Sequence, residues 1–119
     1  MQSSQSIATN WLTVCTLEDI LPNTGVCALV EGQQVAIFRV GQDELYAIDN
    51  YDPFSNAYVL SRGIVGDRNG VPKVASPIYK QNFNLKTGEC FDDASVVVRT
   101  FAVQRVENQV QIGLNSSNA

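Results

Sequence analysis

The chain has 119 residues, a formal net charge of −4 and 45% hydrophobic residues, which is typical of one globular domain. Its acidic balance argues against nucleic acid and against a membrane surface as partners, because both select basic patches. No apolar run approaches the roughly 18 residues of a membrane-spanning helix, and the N-terminus lacks the features of a signal peptide, so we expect a cytoplasmic protein.

The two ends differ in composition from the rest of the chain. Residues 1–9 and 115–119 are rich in Ser, Gln and Asn, with too few apolar side chains to offset the entropy of ordering. We therefore expect loosely ordered ends around one domain that covers residues 10–114.

The first half of the chain predicts short strands joined by turns. An apolar strand at residues 11–15 is followed by a helical turn that Thr16 would cap and that Asp19 would complete as a capping box. Three further strands are predicted at residues 26–30, 34–40 and 45–49. Because turns of three or four residues connect these three strands, they should form an antiparallel meander.

The second half is less regular. Pro and Gly recur from residue 50 to residue 72, and a stretch of this length without a pattern is usually functional or specifically stabilised. Strands are predicted again at residues 71–76, 81–85, 95–98, 100–106 and 109–114. Since no segment longer than a turn or two has a helical period, we predict an all-β fold, a small antiparallel sandwich or partly open barrel.

The cysteines do not form a recognisable site. Cys15, Cys27 and Cys90 contain no C-x-x-C pair. We expect Cys15 and Cys27 to be small buried residues of strands. Cys90 follows a glycine turn and is expected to be partly exposed.

Two segments flank the irregular stretch and resemble the cluster-binding boxes of Rieske ferredoxins. Residues 50–54 read Asn-Tyr-Asp-Pro-Phe, and residues 74–88 read Val-Ala-Ser-Pro-Ile-Tyr-Lys-Gln-Asn-Phe-Asn-Leu-Lys-Thr-Gly. The family's boxes have the forms N-x-C-P-H and V-x-C-P-x-H-x-x-x-F-x-L-x-T-G. The prolines, the phenylalanine and the final Leu-x-Thr-Gly match. The resemblance implies a Rieske-like antiparallel β fold in which two loops face each other across the cluster position.

The four ligand positions of these boxes carry other residues here. A Rieske centre needs two thiolates on one iron and two imidazoles on the other. Asp52 and Ser76 stand at the cysteine positions, Phe54 and Tyr79 stand at the histidine positions, and the sequence contains no histidine. A single carboxylate is too little for a metal site, so we expect no iron–sulfur cluster, no metal and no other cofactor in this chain.

The replaced residues allow two interpretations, and each can hold for different members of the set. Phe54 and Tyr79 can fill the volume of the cluster, so that aromatic packing replaces the stabilisation by the metal. Alternatively, Asp52, Phe54, Tyr58 and Tyr79 form an exposed patch that docks on a partner, because aromatic side chains are enriched at the centres of interfaces.

Within the Rieske superfamily the chain most resembles the small subunits of assimilatory NAD(P)H-dependent nitrite reductases. The resemblance covers roughly residues 10–114 and rests on the altered boxes, on Leu-Ser-Arg-Gly-Ile-Val-Gly at 60–66 and on Lys-Thr-Gly-Glu-Cys at 86–90. It implies a subunit without catalytic residues of its own that supports or docks on a large catalytic subunit. That large subunit would carry FAD, siroheme and an iron–sulfur cluster, and would reduce nitrite to ammonia with NADH or NADPH.

Two other functions stay open from the residues alone. A ferredoxin component of a dioxygenase would need the four ligands that are missing. A ferredoxin-derived binding module without its own redox centre is the second: it would belong to another oxidoreductase, or it would be free-standing and need an open cleft between Phe54 and Tyr79 for a small molecule.

Overall fold

The computed structural model describes residues 10–114, and the loose ends expected at residues 1–9 and 115–119 lie outside the described residues. Within residues 10–114 the strands, β1 to β14 in chain order, are Asn10–Thr16, Thr24–Val30, Gln33–Val40, Glu44–Asp49, Tyr51–Asp52, Ala57–Tyr58, Ile64–Arg68, Val71–Ala75, Asn82–Asn84, Glu89–Cys90, Asp93–Val97, Thr100–Phe101, Val103–Val106 and Gln109–Leu114. Two single turns of 3-10 helix, Leu17–Asp19 and Leu60–Arg62, complete the elements. No helix in this part of the chain is long and apolar enough to cross a membrane.

The central sheet is the predicted meander. Strands β2, β3 and β4 pair antiparallel in sequence order, and β12 adds to the outer edge of β4. Residues 35–38 of β3 read Val-Ala-Ile-Phe and are all buried, so this strand carries a core on each of its faces. A strand covered on both faces requires such a continuous apolar run. The meander prediction is confirmed.

Two further sheets cover the two faces of the central sheet. The three-stranded sheet β1-β14-β13 shares one apolar cluster with Val35 and Ile37. The five-stranded sheet β11-β10-β9-β8-β7 shares a second cluster with Ala36 and Phe38. Because neighbouring residues of a strand point to opposite faces, β3 contributes alternately to the two clusters. The predicted all-β antiparallel fold is confirmed, and it has three layers.

The hairpin β7–β8 differs from the sequence prediction. Residues 50–72 were expected to be irregular, yet Ile64–Arg68 pairs with Val71–Ala75 along its whole length. The turn between these strands is Asn69-Gly70, with φ of 53° and 86°. Positive φ at both central residues is the geometry of a type I′ turn, for which Asn-Gly is the preferred sequence. The dipeptide was therefore an available hairpin signal.

The strand predicted at residues 100–106 is divided in two. Thr100–Phe101 pairs with β4 in the central sheet, whereas Val103–Val106 pairs with β14 in the three-stranded sheet. The chain passes from the central sheet to the three-stranded sheet at Ala102, whose main-chain oxygen already accepts a hydrogen bond from the Gly113 N–H of β14.

The fold brings the two box segments together. The first box follows β4 and starts the hairpin β5–β6, while the second box begins at the end of β8 and contains the loop between β8 and β9. Gly63 ends the second 3-10 turn, and a Cβ atom there would lie 2.4 Å from the main-chain oxygen of Ala75. Only glycine allows this close approach, which places the segment after the first box directly against the strand that enters the second.

Candidate functional site

The first box is a tight hairpin organised by the side chain of Asp52. The Phe54 N–H donates a hydrogen bond of 2.9 Å to Asp52 Oδ1, and Ser55 Oγ donates one of 2.9 Å to Oδ2. The Asn56 N–H donates to the main-chain oxygen of Asp52 at 2.8 Å. An aspartate that accepts from the N–H two residues later is an Asx turn. The carboxylate therefore closes this loop from the inside, at the position of a cysteine in Rieske boxes.

The second box is a loop held around Ser76. The Ser76 N–H donates to the Gln81 oxygen at 2.9 Å, and the Lys80 N–H donates to the Ser76 oxygen at 3.1 Å. Lys80 has a φ of 68°, a left-handed conformation that is uncommon for residues other than glycine. The Ile78 N–H points at Ser76 Oγ from 3.4 Å. The two main-chain bonds close the loop, and the Ile78 contact reaches the Ser76 hydroxyl itself.

One hydrogen bond joins the two loops. Ser76 Oγ donates to Asp52 Oδ2 at 2.5 Å, and both residues have 0% exposure. Distances of about 2.5–2.7 Å are typical of a hydroxyl bonded to a carboxylate. The two positions that carry cysteines in a Rieske domain thus contact each other directly, and leaving the buried Ser76 hydroxyl without its acceptor would cost about 1–3 kcal/mol.

The two histidine positions lie in different environments. Phe54 is half-buried and packs on the apolar cluster beneath the five-stranded sheet, with its ring centroid 6.1 Å from that of Phe83. Tyr79 is 60% exposed. The interpretation that both rings fill the cluster volume is therefore wrong for Tyr79, because its ring points to solvent.

The expected docking patch also needs a correction. Asp52 cannot belong to an exposed surface, because donors from both loops enclose its carboxylate. Tyr58 is 55% exposed and Tyr79 is 60% exposed, whereas Phe54 is half-buried. The Tyr58 ring lies 5.1 Å from the ring of Tyr51, so it is supported on one side. Two of the four expected contact residues are thus available to a partner.

Two residues of this region were not predicted from the sequence. Asn50 is 2% exposed, its amide donates to Gln34 Oε1 at 3.0 Å, and its Oδ1 accepts from the Ser61 N–H at 2.7 Å. Asn50 therefore ties the first box to β3 and to the second 3-10 turn. Ile78 is 44% exposed beside Tyr79 and enlarges the apolar surface of the second loop. The sequence did indicate Ile78, because it is an apolar residue at a position of the box where the family motif specifies no residue type.

A Rieske [2Fe–2S] cluster does not fit this site. Two thiolates and two imidazoles hold such a cluster, whereas the four positions here offer a carboxylate, a phenyl ring, a hydroxyl and an exposed phenol. Asp52 already accepts hydrogen bonds from three protein donors. Within residues 10–114, no group of three or more His, Cys, Asp or Glu side chains is placed to hold a metal ion.

The cysteines do not supply the missing thiolates. Cys90 was expected to be partly exposed but is buried, with 3% exposure. Cys27 was expected to be buried but is exposed, and Cys15 is half-buried. Partial burial of the sulfur raises the pKa of the Cys15 thiol, with a smaller contribution from Asp19, and raises the pKa of the Cys27 thiol. Raised pKa values favour the thiol, and the thiolate is the form that binds metals.

Comparisons with known proteins agree over nearly the whole described chain. The profile of the Rieske-like [2Fe-2S] domain family matches residues 10–113. The nitrite reductase (NADH) small subunit of Salmonella typhimurium strain LT2 is 46% identical over 103 residues, which cover 86% of this chain and 95% of that protein. The solution structure of the nitrite reductase [NAD(P)H] small subunit from Erwinia carotovora has a TM-score of 0.76 at 50% identity, and the match covers 91% of this chain and 84% of that one. The expected Rieske-like fold is confirmed.

A third relative is a much longer protein. The nitrite reductase [NAD(P)H] large subunit of Klebsiella oxytoca is 41% identical over 103 residues, which cover 87% of this chain and 11% of that protein. In Klebsiella oxytoca a domain similar to this chain is thus part of the same polypeptide as the rest of the large subunit.

Proposed function

Since this chain belongs to the Rieske-like [2Fe-2S] domain family and, within it, to the nitrite reductase (NADH) small subunits, we propose that it is the accessory subunit of an NAD(P)H-dependent assimilatory nitrite reductase. It has no catalytic residues of its own, and it docks on and supports a large catalytic subunit that reduces nitrite to ammonia. The observation that carries this proposal is that the likeness extends through nearly the whole length of a small subunit.

The Klebsiella oxytoca protein supports the choice of partner. There, a domain similar to this chain is joined covalently to a nitrite reductase large subunit. A covalent connection keeps two domains at high effective concentration, so it favours a contact between them. Separate chains related to the two parts are then expected to associate through the same surfaces.

The proposal places every redox cofactor in the large subunit. The boxes of this chain provide no thiolate and no imidazole, so this chain holds no cluster. FAD, siroheme and an iron–sulfur cluster belong to the large subunit, and electrons from NADH or NADPH reach nitrite without passing through this chain. Its contribution is contact, which stabilises the active arrangement of the large subunit.

The proposed docking face is the surface of the two box loops. It consists of Tyr58 on the first loop and of Ile78 and Tyr79 on the second, all of which are exposed. Loops displayed on a rigid β scaffold are common sites of recognition, and exposed tyrosines are frequent anchors of interfaces. We place the complex in the cytoplasm, and the three unpaired cysteines support this location, because small exported domains usually pair theirs.

Reconstitution tests the proposal. The large subunit is assayed for NADH-driven nitrite reduction with and without this chain, and binding is measured by titration calorimetry. We expect this chain to be inactive alone, to bind the large subunit and to raise or enable its activity. If the wild-type chain neither binds nor changes the rate, the assignment as a subunit is wrong.

A matched pair of variants tests the docking face. Tyr58→Ala combined with Tyr79→Ala should weaken binding roughly tenfold or more, a loss of about 1.4 kcal/mol. The control combines Leu21→Ala with Val106→Ala, which truncates two other exposed apolar residues. Leu21 lies near the β3–β4 turn, where the Gly41 N–H bonds to Asn23 Oδ1, whereas the first box follows the opposite end of β4. Equal affinities for the two double variants would show that the proposed docking face is wrong, but they would not contradict the subunit assignment.

A further inference from the structure

We propose that Asp52 and Ser76 are a positioning pair, whose hydrogen bond replaces the cluster as the cross-link between the two box loops and sets the spacing of the docking tyrosines. The bond itself follows from the geometry. Its effect on partner binding rests on the proposed function. Asp52 thereby changes from an expected contact residue to a residue that acts through Tyr58 and Tyr79.

The position of the bond makes it the connection between the loops. Asp52 and Ser76 are 24 residues apart in sequence, and Ser76 Oγ to Asp52 Oδ2 is the only hydrogen bond within residues 10–114 that joins residues 50–58 to residues 74–83. The other hydrogen bonds of each loop run within that loop or to neighbouring strands and turns. Without this bond the loops are joined only by packing.

A cluster would make the same connection with metal. In a Rieske domain, thiolates from both loops bind one iron, so the metal links the loops as well as carrying electrons. Here a carboxylate and a hydroxyl meet where the two thiolates would flank the iron. A buried hydrogen bond of this kind keeps the structural role of the cluster without its chemistry.

The bond is placed to control the docking tyrosines. Asp52 pairs with Ala57 across the first hairpin, and Tyr58 follows directly. Tyr79 lies three residues after Ser76 in the second loop. A fixed contact between Asp52 and Ser76 therefore fixes the distance between the exposed rings, and a preorganised pair of anchors binds more tightly than a mobile pair.

Two serines on the same carboxylate provide a matched comparison. Ser55 Oγ and Ser76 Oγ both donate to Asp52 Oδ2, but Ser55 belongs to the first loop and Ser76 to the second. Ser76→Ala removes the cross-link, whereas Ser55→Ala removes a hydroxyl bond within one loop. We expect Ser76→Ala to weaken binding of the large subunit roughly tenfold, and Ser55→Ala to change it less than about twofold.

Stability must be separated from positioning. Val110→Ala removes buried atoms from the cluster beneath the three-stranded sheet. This cluster lies on one face of the central sheet, whereas Phe54 of the box loops packs on the cluster at the other face. The melting temperature of Val110→Ala is compared with that of Ser76→Ala, and its affinity for the large subunit should stay close to wild type. If Val110→Ala loses as much affinity as Ser76→Ala at a similar loss of stability, the effect of Ser76 is merely structural and the proposal is overturned.

A reversible covalent link keeps the test decisive if Ser76→Ala does not fold. Asp52→Cys and Ser76→Cys are combined in a Cys27→Ser background, which removes the exposed thiol. The native hydrogen bond shows that the two side chains face each other, and oxidised glutathione is the oxidant for the 52–76 disulfide. Mass spectrometry confirms that the disulfide has formed before the affinities are measured. The oxidised protein should bind within about threefold of wild type, and dithiothreitol should weaken binding roughly tenfold. Equal affinities of the oxidised and the reduced protein would overturn the proposal.

Hydrogen exchange of the isolated chain separates this inference from the proposed function. The amides of residues 54–58 and 78–81 should exchange faster in Ser76→Ala and in the reduced double variant than in wild type. If the wild-type chain does not bind the large subunit but exchange follows the cross-link, the subunit assignment fails and the inter-loop link stands. If exchange is unchanged, the link fails whatever the large subunit does.

Discussion

Two regions of the molecule are stabilised in different ways. The first, called here the apolar sandwich, is the cluster between the central sheet and β1-β14-β13. Its buried members are Leu17, Ile20, Val30, Val35, Ile37, Ala47, Val110 and Ile112. The second, called here the box region, comprises residues 50–58 and 74–83. All three buried polar side chains of residues 10–114, those of Asn50, Asp52 and Ser76, lie in the box region.

The difference shows where this fold depends on specific partners. Apolar burial is non-directional, so the apolar sandwich tolerates exchange between side chains of similar volume. A buried polar group depends on one partner in one geometry, and losing that partner leaves it unsatisfied. The region that would hold a cluster in a Rieske domain therefore combines directional bonds between buried polar groups with the packing of Phe54, Val74 and Phe83, whereas the apolar sandwich depends on packing.

Iron content gives the largest expected difference at the box region. The purified wild-type chain should be colourless and contain no stoichiometric iron or acid-labile sulfide, even after anaerobic preparation. Restoring the four ligands with Asp52→Cys, Phe54→His, Ser76→Cys and Tyr79→His should give about two irons per chain and visible absorption. About two irons in the wild-type chain would show that the box region does bind a cluster.

The apolar sandwich should respond to loss of volume. Ile112 has 0% exposure, and Ile112→Ala should lower the free energy of unfolding by about 4 kcal/mol through lost burial and a cavity. Chemical denaturation followed by fluorescence measures this change. Ile112→Val is the control and should cost about 1 kcal/mol. Equal costs for the two variants would show that the sandwich is not packed as described.

The box region should instead respond to loss of a single bond. Asn50→Ala should lower the free energy of unfolding by about 2 kcal/mol, because the Ser61 N–H and Gln34 Oε1 both lose their partner. Asn50→Asp keeps an acceptor for the Ser61 N–H, but it buries a carboxylate whose second oxygen faces Gln34 Oε1, so its cost should be at least as large as that of Asn50→Ala. An Asn50→Ala cost near zero, measured by the same denaturation assay, would mean that the polar bonds do not stabilise the boxes.

Phe54 lies where the two kinds of stabilisation meet. Its ring is half-buried, so Phe54→Ala should cost about 1.5 kcal/mol, less than the 3 kcal/mol or more of a fully buried ring. Phe83→Ala is the comparison, since Phe83 has 0% exposure and contacts the same cluster. Thermal melts of both variants should rank them in this order, and the reverse order would contradict the packing of the first box.

The smallest expected effect is a pH dependence at the edge of the apolar sandwich. A hydrogen bond from the Asn108 amide to Glu18 lowers the pKa of that carboxyl below its ordinary value of 4.5. A lowered pKa means that ionised Glu18 favours the folded state, so its contribution is complete above about pH 4.5 and is lost as the pH falls below that value. Melting temperatures of wild type and Glu18→Gln should differ slightly near pH 7 and converge near pH 3. A difference that grows on acidification would contradict the sign.

The sequence by itself determined the elements that local chemistry specifies. The meander at residues 24–49 follows from apolar runs separated by short turns. The capping box of Thr16 and Asp19 follows from residues three apart, and the structure forms it with the Thr16 N–H bonded to Asp19 Oδ2 at 2.8 Å. The box motifs could be recognised, because proline and glycine mark their turns in the sequence.

Only the tertiary structure decided what the box residues do. Carboxylates are seldom buried, so Asp52 was expected at the surface. It is buried because Ser76, 24 residues later in the chain, donates a hydrogen bond to it. Phe54 and Tyr79 are both aromatic and both replace histidines, yet one packs inward and the other faces solvent. Burial and pairing of a side chain depend on which loop the fold places against it, and no local pattern in the sequence contains that information.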